Sequence, residues 1–117
     1  MATIRLKRVY DPPEPSDGTR VLVDRLWPRG IAKADARIDV WLKDAAPSNE
    51  LRRWFGHDPG KWQAFRERFL AELAGNPALA ELRRMARRPG TLTLVFAARD
   101  SEHNNAVALR DALRGRL

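Results

Sequence analysis

The stretch Thr91-Leu92-Thr93-Leu94-Val95-Phe96-Ala97-Ala98, followed at once by Arg99-Asp100-Ser101-Glu102-His103-Asn104-Asn105, decides how the chain folds. Its first half is a short run rich in strand formers, with the turn pair Pro89-Gly90 just ahead of it. A run that is apolar at nearly every position suits a strand covered on both faces, as inside a parallel sheet. The second half turns abruptly polar. Asp100 or Ser101 is read as the cap of a last helix, with Leu109 and Leu113 on its inner side. A strand that enters a helix through a polar turn is the repeating unit of α/β sheets.

Upstream of this strand the helix signals are clear. Asn76-Pro77 places a capping side chain before a proline, and opens a helix to about Arg88. Asp58-Pro59 repeats the signal and opens a helix to about Ala74, stopped by Gly75. Within it Trp62, Phe65, Phe69 and Leu73 form one apolar stripe at helical spacing. Ser48 caps a shorter helix, Asn49 to Phe55, that Gly56 ends. Within residues 31 to 47, where the signals are weaker, Ile38, Trp41 and Leu42 are read onto one short helix that ends before Pro47. Further out, Thr19 to Leu26 holds the apolar run Val21-Leu22-Val23, which breaks at Trp27-Pro28-Arg29-Gly30. Ile4 to Tyr10 largely alternates apolar and basic residues, the period of a strand. Between these two lies a loop from Asp11 to Gly18, stiffened by three prolines. The order is strand, strand, helices, strand, helix. It predicts one α/β domain over residues 1–117, with a small, mainly parallel sheet of about three strands and about five flanking helices. A helical crossover between the second and third strands makes those two parallel.

The chain has 117 residues, 44% of them hydrophobic and 32% charged. That length fits one domain, and a chain of this size buries roughly two-thirds of its unfolded surface. No stretch approaches the roughly 20 apolar residues of a membrane span. Met1-Ala2-Thr3-Ile4-Arg5 lacks the apolar run of a secretory signal, so a cytoplasmic protein without a membrane partner is expected. The absence of cysteine excludes disulfides, thiolate nucleophiles and cysteine–zinc sites. A net charge of +7 attracts phosphorylated metabolites, nucleic acid or acidic proteins, although solubility alone also accounts for such a charge.

In parallel sheets ligands sit beyond the carboxyl ends of the strands. Two segments therefore stand out. Asp24-Arg25-Leu26-Trp27-Pro28-Arg29-Gly30 leaves the second strand with a carboxylate and two guanidiniums. Arginine presents a planar fork of donors that matches phosphate or carboxylate, while a bland reading pairs Asp24 with Arg25 or Arg29. Arg99 to Asn105 leaves the last strand and opens a helix, whose first N–H groups favour anions. Arg99 adds charge there, and His103 and Asn104 add donors; plain capping is the alternative. His57, between two helices, is a third candidate, because histidine titrates near neutrality. Asp58 reads chiefly as a cap. The two histidines have no metal-ligand spacing, no glycine-rich phosphate loop is present, and no serine sits in a G-x-S-x-G turn. No metal and no cofactor is expected. The aromatic residues read as core, not as a base-stacking platform.

Several of these segments are familiar together. They are Lys7-Arg8-Val9-Tyr10-Asp11-Pro12-Pro13, the run from Arg20 to Gly30, and Trp41-Leu42-Lys43-Asp44 with Ala46-Pro47-Ser48. Trp54-Phe55-Gly56-His57-Asp58-Pro59 and Ala97-Ala98-Arg99-Asp100 with His103-Asn104 complete the set. The combination resembles domain-of-unknown-function family 488, in its short YeaO-like branch, over nearly the whole chain. The resemblance implies a small α/β fold and a cytoplasmic, mostly prokaryotic protein, and it brings no established activity.

The leading functional expectation from the residues is a small-molecule site for an anionic ligand, of the kind a hydrolase or transferase uses. Arg25, Arg29, Arg99 and Asn104 would hold the anion, and Asp24, His57 or His103 would move protons. The rival is a non-catalytic nucleic-acid- or protein-binding module using the basic surface. The sequence specifies neither a reaction nor an oligomeric state. Geometry separates the two readings, because the first requires Asp24–Gly30 and Arg99–Asn105 to converge on one cleft.

Overall fold

Four strands form one sheet in the computed structural model, which describes residues 2–115: β1 (Thr3–Arg8), β2 (Thr19–Leu22), β3 (Val40–Trp41) and β4 (Thr91–Phe96). Their spatial order is β1-β4-β2-β3, and every pairing is parallel. The last strand in sequence thus lies between the first two. Leu92 pairs with Ile4 on one side and Thr19 on the other; Val95 pairs with Lys7 and Leu22. This is the arrangement that the apolar run of β4 requires, since a strand with neighbours on both edges and cover on both faces has no wet position.

Among the described residues five α-helices flank the sheet: α1 (Lys33–Ala36), α2 (Asn49–Phe55), α3 (Trp62–Leu73), α4 (Pro77–Ala86) and α5 (Asn105–Leu113). The capping signals act as read. The Ser48 hydroxyl accepts the Leu51 N–H at 3.1 Å, and the Asn76 side-chain Oδ1 accepts the Ala78 N–H at 2.8 Å. Asp58 accepts the Gly60 N–H at 2.9 Å, but the segment it caps opens with a 3-10 turn at Pro59–Lys61 before α3 begins. Phe65, Phe69 and Leu73 are buried, as their spacing predicts, and Trp62 packs partly buried beside them.

Two expectations are corrected. Ile38, Trp41 and Leu42 do not share a short helix within residues 31 to 47. That segment makes α1, then the two-residue strand β3, then a 3-10 turn at Lys43–Ala45. Val40 and Trp41 pair with Val21 and Leu22, which adds a fourth strand to the three expected. The Trp41 indole N–H donates to the Asp24 carbonyl at 2.8 Å, fixing this edge. The last helix also starts later than Asp100 or Ser101. Its cap is Asn104, whose side chain accepts the Val107 N–H at 3.0 Å.

Strand alternation divides the core between the two faces of the sheet. Val21, Leu92, Leu94 and Phe96 join α2 to α5 on one face. Leu22 and Val95 point to the other, where Val9, Ala36, Trp27 and Ile38 cover them. On this second face, beside the proline-rich loop, lies a polar cluster. The Asp17 carboxylate, 1% exposed, accepts from the Glu14 N–H at 3.0 Å, from Lys7 Nζ at 3.1 Å and from Arg20 Nη1 at 2.7 Å. Arg20, 4% exposed, also donates to the carbonyls of Ala36 and Arg37. The proline-rich loop is thereby bolted to β1 and β2. No helix is long and apolar enough to cross a membrane among the described residues.

Candidate functional site

A cleft of about 730 Å³ opens at the carboxyl ends of β2 and β4. Both segments marked in the sequence line it: Asp24 to Arg29 from the loop after β2, and Ala97 to Asp100 with Asn104 and Asn105 after β4. Parallel pairing of the two strands puts these loops side by side.

Asp24 joins them. Its Oδ2 accepts the Ala97 N–H at 2.9 Å, and its Oδ1 accepts from Asn105 Nδ2 at 3.2 Å. The same Asn105 amide donates to the Val23 carbonyl at 2.9 Å. Asp24 forms no ion pair with Arg25 or Arg29, which disposes of the pairing the sequence left open. Burial pushes the Asp24 carboxyl above its ordinary value; the Ala97 N–H, the Asn105 amide and the nearby His57 oppose that rise without cancelling it.

The arginines differ in how they are held. Arg25 donates to the Ala46 carbonyl at 3.2 Å and to the Pro47 carbonyl at 3.4 Å, so much of its fork serves to fix the opposite wall. Arg29 and Arg99 are exposed, and among the described residues neither side chain forms a hydrogen bond or ion pair. Arg29 is positioned through its backbone, whose carbonyl accepts from the Tyr10 hydroxyl at 2.9 Å. Arg8 braces the other loop by donating to the carbonyls of Ala98 at 2.9 Å and Ala97 at 3.2 Å.

The remaining candidates fall in different places. His57 lines the cleft from the turn after α2, exposed, with a left-handed φ of 57°. Asn104 lines it too, but its amide is engaged at both ends: Nδ2 donates to the Asp100 carbonyl at 2.8 Å and the oxygen caps α5. Asp100 accepts the N–H groups of Glu102 at 2.9 Å and His103 at 3.1 Å, so these donors are already taken by a carboxylate. The Glu102 N–H bond and then the His103 ring hold the Asp100 carboxyl below its ordinary value. His103 does not line the cleft. Its Nδ1 lies 2.9 Å from Asp100 Oδ2, and its ring meets Trp62 edge-on at 5.4 Å. Sequence reasoning missed Arg52, Tyr10, Phe55 and Phe65 as lining residues. They come from α2, α3 and the turn just after β1, and no local spacing ties them to the ends of β2 and β4.

Three relatives place the chain in a lineage. An uncharacterized protein of Mycobacterium tuberculosis and one of Mycobacterium bovis are each 46% identical over 113 residues, 97% of this chain and 95% of theirs. The uncharacterized protein YeaO of Escherichia coli is 46% identical over 111 residues, 95% of this chain and 96% of its own. No solved structure matches. The family signature described as the inactive DUF488-N3 subclade matches residues 3–117, and the chain belongs to that family.

Proposed function

We propose that the cleft binds a small oxyanion and does not turn it over. The observation that carries this reading is the pair Arg29 and Arg99: two guanidiniums without an internal partner, on loops from neighbouring strands, beside one concave space. Arg25 and Arg52 line the same space, against the carboxylates of Asp24 and Asp100. An arginine with a free fork loses little on meeting an oxyanion and gains charge-assisted, paired hydrogen bonds. Asn104 serves by fixing the start of α5, and Arg25 by holding the Ala46–Pro47 wall.

The non-catalytic half rests on the state of the proton-transfer candidates and on the family's description as an inactive subclade. Both oxygens of Asp24 are occupied by donors that hold the loops together, and His103 is turned to Asp100 and Trp62 outside the cleft. His57 is left as an exposed imidazole lining the same cleft as Asp24.

Titration calorimetry with sulfate and inorganic phosphate tests the reading. Arg29→Ala and Arg99→Ala should each weaken binding by about 1.5–3 kcal/mol, the value of a hydrogen bond to a charged group, with the fold intact by circular dichroism. Absence of saturable binding, or binding indifferent to both changes, would overturn it. Hydrolysis of a phosphate or acyl ester that disappears in Asp24→Asn and His57→Ala would overturn the non-catalytic half and restore a hydrolase or transferase.

A further inference from the structure

The arginines account for only part of the cleft. Its floor is aromatic, formed where Phe55 and Phe65 stack with ring centroids 4.3 Å apart. Its rim carries large hydrophobic side chains left in water: Leu26 is 64% exposed and Tyr10 44%. Leu70 is the third exposed large hydrophobic among the described residues, so two of the three stand at this one opening. Leu26 lines the same cleft as the exposed Arg29 and Arg99.

A site for a bare oxyanion has no use for these groups. A hydrated tetrahedral ion gains nothing from a leucine or a phenylalanine, and the space of about 730 Å³ greatly exceeds it. That volume falls within the roughly 300–1,000 Å³ of sites that enclose organic molecules, which combine apolar walls with a few polar anchors. An exposed apolar patch beside unpartnered cations fits a ligand with both characters.

We propose that the ligand is a small amphiphilic anion: an oxyanion group held by Arg29 and Arg99, joined to an apolar ring that covers Leu26 and reaches toward Phe55 and Phe65. The inference rests on the anion-binding reading above and adds the chemical class of the molecule. Phosphate monoesters and carboxylates share the recognised chemistry, and paired probes distinguish them.

The test is titration of the full chain with two pairs, phenyl phosphate against inorganic phosphate and benzoate against acetate, with benzyl alcohol as the uncharged probe. In at least one pair the aryl anion should bind about tenfold tighter, the order expected when one face of a ring leaves water. Leu26→Ser, at a solvent-exposed position, should bring that ratio close to one. Equal binding within both pairs, still dependent on Arg29, would overturn the amphiphilic ligand and leave the anion reading standing. Benzyl alcohol binding as tightly as the aryl anions and indifferent to Arg29→Ala would overturn both, as would failure of every probe to bind. A dimer that Leu26→Ser dissociates would assign the rim to a second copy of the chain and overturn the inference.

Discussion

Removing the Asp17 carboxylate should be among the most damaging single changes in the molecule. In Asp17→Ala the Arg20 guanidinium keeps its bonds to the Ala36 and Arg37 carbonyls but loses the partner at 2.7 Å, and at 4% exposure water does not replace it. Lys7 retains Glu14 at 2.8 Å on an exposed edge, so its loss is small. The Arg20 charge therefore dominates. Breaking one partner out of a buried pair costs about 3–5 kcal/mol, a large share of the roughly 5–15 kcal/mol that stabilises a small domain. Urea unfolding reads the loss as a lower midpoint. The double variant Asp17→Leu/Arg20→Met should be less destabilised than Asp17→Ala, because no uncompensated charge remains. pH supplies a second check. Burial raises the Asp17 carboxyl, but the Glu14 N–H, Lys7 and Arg20 together outweigh burial and hold it below its ordinary 3.8. The stabilisation is thus fully present above that value and lost as pH falls through the lowered one, and Asp17→Ala should lack this acid limb. A coupling energy between positions 17 and 20 below about 1 kcal/mol, the range of solvated pairs, would refute the reasoning.

Two further outcomes are expected. Phe65→Ala removes a side chain that is 2% exposed and stacked on Phe55, and should cost about 3–5 kcal/mol; an unchanged unfolding midpoint would show the stripe on α3 to be wrongly placed. Sulfate affinity should rise as pH falls toward the carboxylate range, because the raised Asp24 carboxyl accepts a proton more readily beside a bound anion. Asp24→Asn should flatten that dependence, and a flat profile in the unaltered protein would separate Asp24 from the bound ion.

The parts of the fold legible in the sequence are those whose cause is local. The β4 run announces a strand covered on both faces, and Ser48, Asp58 and Asn76 sit before segments that do turn helical. β3 could not be read this way. Two residues carry no period, and Val40 and Trp41 are held by pairing to β2 and by the indole bond to Asp24, both long-range. The start of α5 was ambiguous because Asp100, Ser101, Asn104 and Asn105 are all capping types. Asn104 wins because it is buried with both ends of its amide satisfied, whereas Asp100 closes a turn one step earlier. Strand topology likewise located the two loops of the cleft. It could not supply Arg52, Tyr10 or the phenylalanine floor, which depend on how α2 and α3 lie against the sheet.

The position of β4 between β1 and β2 has a consequence for synthesis on the ribosome. Until Thr91–Phe96 emerges β1 has no neighbour in the sheet, and β2 has only the two residues of β3. At roughly 5–20 residues per second, the about 70 residues between the end of β2 and the start of β4 take on the order of 3–14 s. Throughout that interval the β1 and β2 edges that β4 later joins stand open, the state most prone to pair with other chains. The basic residues of β1, Arg5, Lys7 and Arg8, keep one of those strands charged while it waits. A nascent chain halted before Thr91 should accordingly be cut freely by protease, and resistance should appear only once the central strand has left the exit tunnel.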